Sequence, residues 1–483
     1  MGIILDQSFK NMVVTYIGFA IGAINVLILY PHFFEPKYYG LITYLLSAST
    51  LVWPIMGFGV HNTIIKFYTS YKSDEDKNAL LTLAILLPLG VGLMIGIISY
   101  IFQQQILNYF DSNTLVQPYV WLILIIAISV AYFEVFFAWS KLKLKSVFGN
   151  FMKEVFHRIF VTIFLILFYY DMIDVSLFIY LLTGVYVVRT LIIKLYAFWL
   201  IPPKIRLQLP QNKIQVFKYS LLILIAGSIA TALLDLDKVM IEHYLPIEKV
   251  SVYGIAVYIA SVIAVPSRAM HQITLPITAK YLNHKEFDKL KDLYQKSSIN
   301  LLVVSGLIFL LIVTNVQDLY ALIPAEYQIE FSIIVLLSLN KLYDNLLGNS
   351  NSILFNSEYY QMVLFSGIII VILAILLNIS LIPLYGIYGA AVATFIAFAL
   401  YNTIKLGIVY WKFKMQPITL GTFKVLGFVA ILGAVFYLVP IRLNPIADIL
   451  IRSSLLGLIY LAGTYYFKFS ADINQLIKKL LNR

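Results

Sequence analysis

The segment LNISLIPLYGIYGAAVATFIAFALYN (377–402) joins the end of one apolar run to the start of another. Pro383 has no backbone N–H to donate and Gly386 tolerates dihedrals closed to other residues, so together they predict a tight turn. Gly389, Ala390, Ala391 and Ala393 follow with a small-residue face, the kind that lets membrane helices approach closely where lipid gives no hydrophobic drive to associate. A turn between two runs of this kind belongs in a bundle of membrane helices.

The rest of the chain agrees. Its 483 residues are 61% hydrophobic and 12% charged, with a mean hydropathy of +0.88. Soluble domains carry about 25% charged residues. Apolar runs of spanning length fall at 11–34, 40–65, 79–102, 116–140, 147–170 and 174–200, then at 215–237, 247–273, 298–317, 328–352, 359–382, 386–410, 420–440 and 446–467. Fourteen spans of about 22 residues leave about a dozen residues for each connection. A large extramembrane domain is excluded, and with it receptors with ectodomains and transporters carrying their own ATPase domain. MGIILDQSFKN (1–11) has one basic residue, Lys10, and no small-residue cleavage site, so the first run reads as a retained helix.

The chain has no cysteine, six histidines and a formal charge of +11. Disulfides, thiolate metal sites and cysteine nucleophiles are therefore excluded. The positive charge is read as topology, not as a nucleic-acid surface. Assigned to alternate connections, 22 of the 35 Lys and Arg residues fall on one side, 5 on the other (Lys37, Lys238, Lys249, Arg442 and Arg452), and 8 inside apolar runs. Both termini are expected on the cytoplasmic side of the membrane.

RLQLPQNKIQVFK (206–218) divides the chain near its middle. The expected organisation is a six-helix lobe over 1–203, a linker over 204–214, a second six-helix lobe over 215–410, two further spans over 411–468 and an amphipathic tail over 469–483. YLNHKEFDKLKDLYQKSS (281–298) also reads as a short amphipathic connector on the membrane surface. YYGLITYLLSASTLVWP (38–54) sets beside VYGIAVYIASVIAVP (252–266): a Tyr-Gly pair opens each and a proline follows. Six spans separate the two copies, so the repeat is parallel.

With Asn378, Pro383, Tyr385, Gly386, Gly389, Ala390 and Ala391 in this order, the 377–402 segment resembles the eleventh-to-twelfth span junction of polysaccharide flippases. These belong to the multidrug/oligosaccharidyl-lipid/polysaccharide (MOP) superfamily. Tyr39-Gly40, Gly57-Phe58-Gly59 and Asp237-Lys238 match as well, and the resemblance covers essentially the whole chain. It implies an all-α fold of fourteen spans, with two lobes in a V around an alternately opening cavity and a lipid-tail groove near the last two spans. It further implies flipping of a polyprenyl-diphosphate-linked oligosaccharide to the outer leaflet of a bacterial inner membrane. The implied setting is O-antigen, capsule or exopolysaccharide synthesis. Membrane lipid and other polysaccharide-assembly membrane proteins are the implied partners, with no cofactor and no nucleic acid.

A diphosphate crossing a bilayer needs fixed positive charge. Arg158 and Lys341 fall near the expected midplane, Arg189 and Arg268 further inward, and Lys66 and His61 at the inner end of the second span. Each also has a plain structural reading. Lys66 suits topology and His61 suits packing. Glu154 lies four residues before Arg158, and Asp344 one turn after Lys341, so both cations have a local ion-pair partner. Arg268 has no acid within a turn and is the preferred phosphate ligand. Glu134, inside AYFEVFFAW (131–139), is either an ion-coupling acid or the partner of Arg158 or Arg189. Asp235 and Asp237 are the remaining coupling candidates, with Lys238 available to neutralise them.

Two other functions fit the composition. A drug exporter of the same superfamily is disfavoured because cationic cargo needs carboxylates where this chain has basic residues. A membrane glycan polymerase or ligase needs a sizeable outer loop with paired Arg or His, and the outer connections are short. The sequence shows no P-loop, nucleophile elbow or metal-ligand cluster, so an enzyme is not expected.

Overall fold

The computed structural model describes residues 2–110, 113–438 and 444–481; the end of the 420–440 run, Arg442 and Arg483 lie outside the described residues. Among the described residues every regular element is helical. Packing divides the chain into Met1–Ser251 and Val252–Arg483.

In the first unit, α1 (Gly2–Ile24) continues through a π turn, Asn25–Leu29, to Tyr30–Phe33. Next come α2 (Pro36–Gly57), α3 (Val60–Tyr68), α4 (Asp74–Ile101), α5 (Gln103–Tyr109) and α6 (Val120–Lys141). A second π turn, Met152–Phe156, leads into α7 (His157–Tyr169), followed by α8 (Val175–Leu200) and α9 (Lys213–Tyr244). Helix α6 is apolar along nearly its whole length and is largely buried among its neighbours. Its Phe133, Val135, Phe136 and Trp139 are buried against Leu80, Leu81 and Ala84 of α4 and Ile193 and Ala197 of α8. Since lipid is as apolar as this interior, close packing and interhelical hydrogen bonds must hold the helices together. The Thr190 hydroxyl donates to the Ser129 carbonyl at 2.8 Å, and Tyr132 donates to the Ile85 carbonyl at 2.8 Å.

Helix α9 packs along α2 and α3, where Thr63 and Ser220 share a hydrogen bond of 2.8 Å. The division by packing therefore falls one helix later than the 204–214 connection.

The second unit holds most of α10 (Glu248–Ser261), then α11 (Val265–Asn283), α12 (Phe287–Ala321), α13 (Phe331–Leu346) and α14 (Ser350–Phe355). It ends with α15 (Tyr360–Phe413), α16 (Leu420–Leu438), α17 (Pro445–Phe467) and α18 (Ala471–Leu481). The core forms where Leu302 and Leu310 of α12 meet Val425 and Val429 of α16 and Leu456 and Tyr460 of α17. Arg452, assigned to the lysine-poor side by the charge count, is buried instead. It donates to the Thr314 carbonyl at 2.6 Å and to Asp318, so it braces α17 against α12.

Two helices depart from the expected pattern. The 281–298 segment is no separate connector: from Phe287 it forms the first turns of α12, because Leu290 and Tyr294 bury against Ile353, Leu354 and Val363. Helix α15 has 54 residues, about 80 Å if straight, against a hydrocarbon core of about 30 Å. Gly386 interrupts it with φ 60° and ψ −141°, a conformation essentially reserved to glycine. The expected turn lies there, and the small-residue face closes against it: a Cβ on Gly389 would sit 2.1 Å from the Leu381 carbonyl oxygen.

Eleven described helices are long and apolar enough to cross a membrane. They are compatible with fourteen spans. α15 contains two of the expected runs, the π turn interrupts the 147–170 run, and 328–352 is divided between α13 and α14. In the repeat, Tyr39 and Tyr253 are both buried. Each copy then breaks near its proline, at Phe58-Gly59 with positive φ in the first and at the 3-10 turn Val262–Ala264 in the second.

Candidate functional site

The first unit gathers four of the predicted site residues around two facing π turns. A π turn widens the helix by one residue and accompanies functional sites more often than chance. Here the turn in α1 and the turn before α7 interlock. Asn25 donates to the Arg158 carbonyl at 2.9 Å and accepts from Thr162 at 2.7 Å. Gly18 allows the approach, since a Cβ there would lie 2.5 Å from the Glu154 carbonyl oxygen.

Arg158 projects from the start of α7, its guanidinium 3.5 Å from Glu154 and over the Phe19 ring at 5.4 Å. The ion pair with Glu154 is the one its spacing predicts. Arg189, on α8, is 5% exposed and lies 4.2 Å from the Tyr186 ring and 4.8 Å from that of Phe133. Among the described residues Arg189 makes no ion pair, and its Nε has no hydrogen-bond partner. His157 sits within electrostatic reach of both guanidinium groups.

Glu134 on α6 does have a basic partner, but not Arg158 or Arg189. Lys153, inside the second π turn, places its Nζ 2.6 Å from the Glu134 carboxylate. Both arginines are otherwise engaged, Arg158 with Glu154 and Arg189 with two rings, which leaves Lys153 to neutralise the acid. His61 is near the same carboxylate, with its ring 5.7 Å from Trp53 and its Nδ1 unpartnered. Lys66 is exposed and lies over the Tyr219 ring at 3.9 Å. Asp235 pairs with Lys238, and Asp237 is buried and accepts the Lys238 backbone N–H at 2.8 Å.

The second unit distributes its predicted residues differently. Arg268 is exposed on α11. Lys341 lies under the Phe398 ring at 4.9 Å. Asp344, one turn after Lys341, has Lys405 at 3.5 Å. Lys405 is 3% exposed, comes from α15 and also donates to Asn351 at 3.1 Å. One turn beyond Arg268, His271 shares a 3.2 Å hydrogen bond with Ser352. Beside α16 and α17 lies an apolar groove of about 390 Å³, lined by Phe423, Phe428, Ile431, Phe467 and Phe469 with Lys424 as its one cation.

Sequence reading singled out neither Lys153 nor Lys405. The available signal was the tally of eight cations inside apolar runs, each of which demands a partner or a wet surface. It also passed over Glu242, buried near the end of α9, which accepts a 3.0 Å hydrogen bond from Asn113.

No family model matches the chain, and no curated protein matches it by sequence. Solved structures do. The lipid II flippase MurJ, in an inward closed conformation, superposes with a TM-score of 0.72 at 16% identity over 95% of this chain and 99% of that one. An inward-facing multidrug resistance MATE family transporter of the MOP superfamily gives 0.61 at 11% identity over 86% and 95%. A MOP superfamily transporter from Pyrococcus furiosus, described as having a binding pocket of reverse polarity, gives 0.59 at 14% identity over 85% and 95%. At these identities the likeness establishes the fold, and the chain is a multi-span membrane protein with the fold of MOP superfamily transporters.

Proposed function

We propose that this chain is a non-enzymatic flippase. Its cargo is a polyprenyl-diphosphate-linked oligosaccharide, moved from the cytoplasmic to the outer leaflet of a bacterial inner membrane for cell-surface polysaccharide synthesis. Both termini are cytoplasmic in this reading. The observation that carries it is Arg189: a guanidinium 5% exposed in a membrane helix, with no carboxylate paired to it among the described residues. Such a charge is costly to keep unless an anion visits it. Arg158 shares the site, and its Glu154 partner at 3.5 Å is loose enough to yield to a phosphate. Arg268 and Lys341 are the second unit's cations in this reading. The groove at Lys424 has the apolar lining an isoprenoid tail requires. Glu134, bridged to Lys153, holds α6 to the π turn, and Asp235 and Asp237 are satisfied at Lys238.

The test is export of lipid-linked glycan by cells relying on Arg189→Ala or Arg189→Lys, with protein level measured in the membrane. Loss with alanine, partial retention with lysine and normal level for both would support the site. Full export by the alanine variant would remove Arg189 from it.

A further inference from the structure

The first unit carries a second groove, lined by neither Arg189 nor the π-turn residues. It has a volume of about 480 Å³ and runs between α4, α6 and α8, lined by Ile85, Ile128, Tyr132, Phe136, Leu191 and Phe198, among others. Its walls are fixed. Tyr132 donates to the Ile85 carbonyl at 2.8 Å, tying α6 to α4, and Thr190 donates to the Ser129 carbonyl at 2.8 Å, tying α8 to α6. Phe136 and Phe198 pack edge to face with centroids 5.5 Å apart. The connection after α8 folds over the groove at Pro203 and Ile205. It is held there by the Arg206 N–H on Thr82 at 2.9 Å and the Arg206 guanidinium on Glu75 at 2.9 Å. Groove and connection are therefore preorganised.

One cation enters this apolar lining. Lys194 projects from α8 and lies 5.6 Å from the Phe198 ring, and among the described residues it makes no ion pair. The exposed surface of α8 and the connection after it is strongly apolar here: Leu195, Trp199 and Ile205 are 69%, 75% and 77% exposed. An ammonium at a lipid-contacting helix face needs either water or an anion. Lys194 is near the end of α8 that leads to the basic connection, where head groups and hydrocarbon meet.

We propose that this groove holds a phospholipid of the surrounding membrane, one acyl chain lying along α4, α6 and α8 and its anionic head group on Lys194. The charge sets the head-group class: a phosphate diester without a compensating amine complements an unpaired ammonium, whereas a zwitterionic head group brings its own cation.

Native mass spectrometry of the full chain, released from vesicles of equal phosphatidylglycerol and phosphatidylcholine, tests this. Wild-type protein should retain phosphatidylglycerol severalfold above the vesicle ratio. Lys194→Gln should retain the two lipids at that ratio, and Lys194→Arg should keep the preference. Equal retention by the wild type would overturn the proposal without any variant. An unchanged preference in Lys194→Gln would also overturn it, by placing the anionic lipid elsewhere. Displacement of the retained phospholipid by a short polyprenyl phosphate at equal concentration would assign the groove to the cargo's tail and equally defeat it.

Discussion

Lys153 Nζ lies 2.6 Å from Glu134 Oε1, so the π turn before α7 is tied by charge to the central helix α6. The Lys153 side chain is 43% exposed and that of Glu134 14%, so the pair is not fully buried in the protein and its worth is about 1 kcal/mol. Glu134→Gln and Lys153→Met should each lower the melting temperature in detergent, and the double variant should lose less than the sum of the two. Strict additivity would mean that the pair is not coupled. Wild-type stability in Glu134→Gln, combined with loss of response to an imposed pH step, would assign Glu134 to ion coupling instead.

Asp344 and Lys405 make a deeper pair, with Lys405 3% exposed. Asp344→Asn leaves that ammonium with Asn351 as a neutral partner. A cost of roughly 2 kcal/mol is expected, below the range for fully buried pairs because the Asp344 side chain is 34% exposed. Adding Lys405→Met should restore most of the loss in a thermal melt. A double variant no more stable than Asp344→Asn would show that the pair is not what the single substitution disrupts.

Gly386 carries α15 through its turn at φ 60° and ψ −141°. Gly386→Ala should cost about 1–3 kcal/mol through backbone strain, seen as a lower melting temperature and less protein in the membrane. Unchanged abundance and melting would mean that the turn accepts a side chain.

The share of the structure that could be read in advance follows from which physical signal each residue leaves. Span-length apolar runs and the Pro383/Gly386 turn are local, and they recur as helices and as the break in α15. Pairing is not local. Glu154 and Arg158 share one helical face and were legible as a pair, whereas Glu134–Lys153 and Asp344–Lys405 join residues 19 and 61 positions apart. The count of eight cations in apolar runs said that such partners must exist, and only packing said which. Leu290 and Tyr294 mark the opposite failure: a segment amphipathic enough for a membrane surface proved to bury its apolar face against protein.

Sidedness has its own check. The chain has no cysteine, so single ones introduced at Lys289, in the first turn of the long helix α12, and at Glu326, beyond its other end, can be read cleanly. An impermeant maleimide added outside intact spheroplasts should label position 326 and not 289. Labelling of both, or of 289 alone, would break the proposed topology.

Reconstitution measures the central claim directly. Proteoliposomes carrying a fluorescent polyprenyl-diphosphate-linked oligosaccharide in both leaflets are treated with an impermeant reagent that destroys the outward-facing label. With wild-type protein the protected inner fraction should become accessible, Arg189→Ala should slow this about tenfold or more, as loss of one charge-assisted contact predicts, and labelled phosphatidylcholine should stay protected. Protection of the oligosaccharide lipid equal to that in protein-free vesicles would contradict the account, as would equal movement of both lipids.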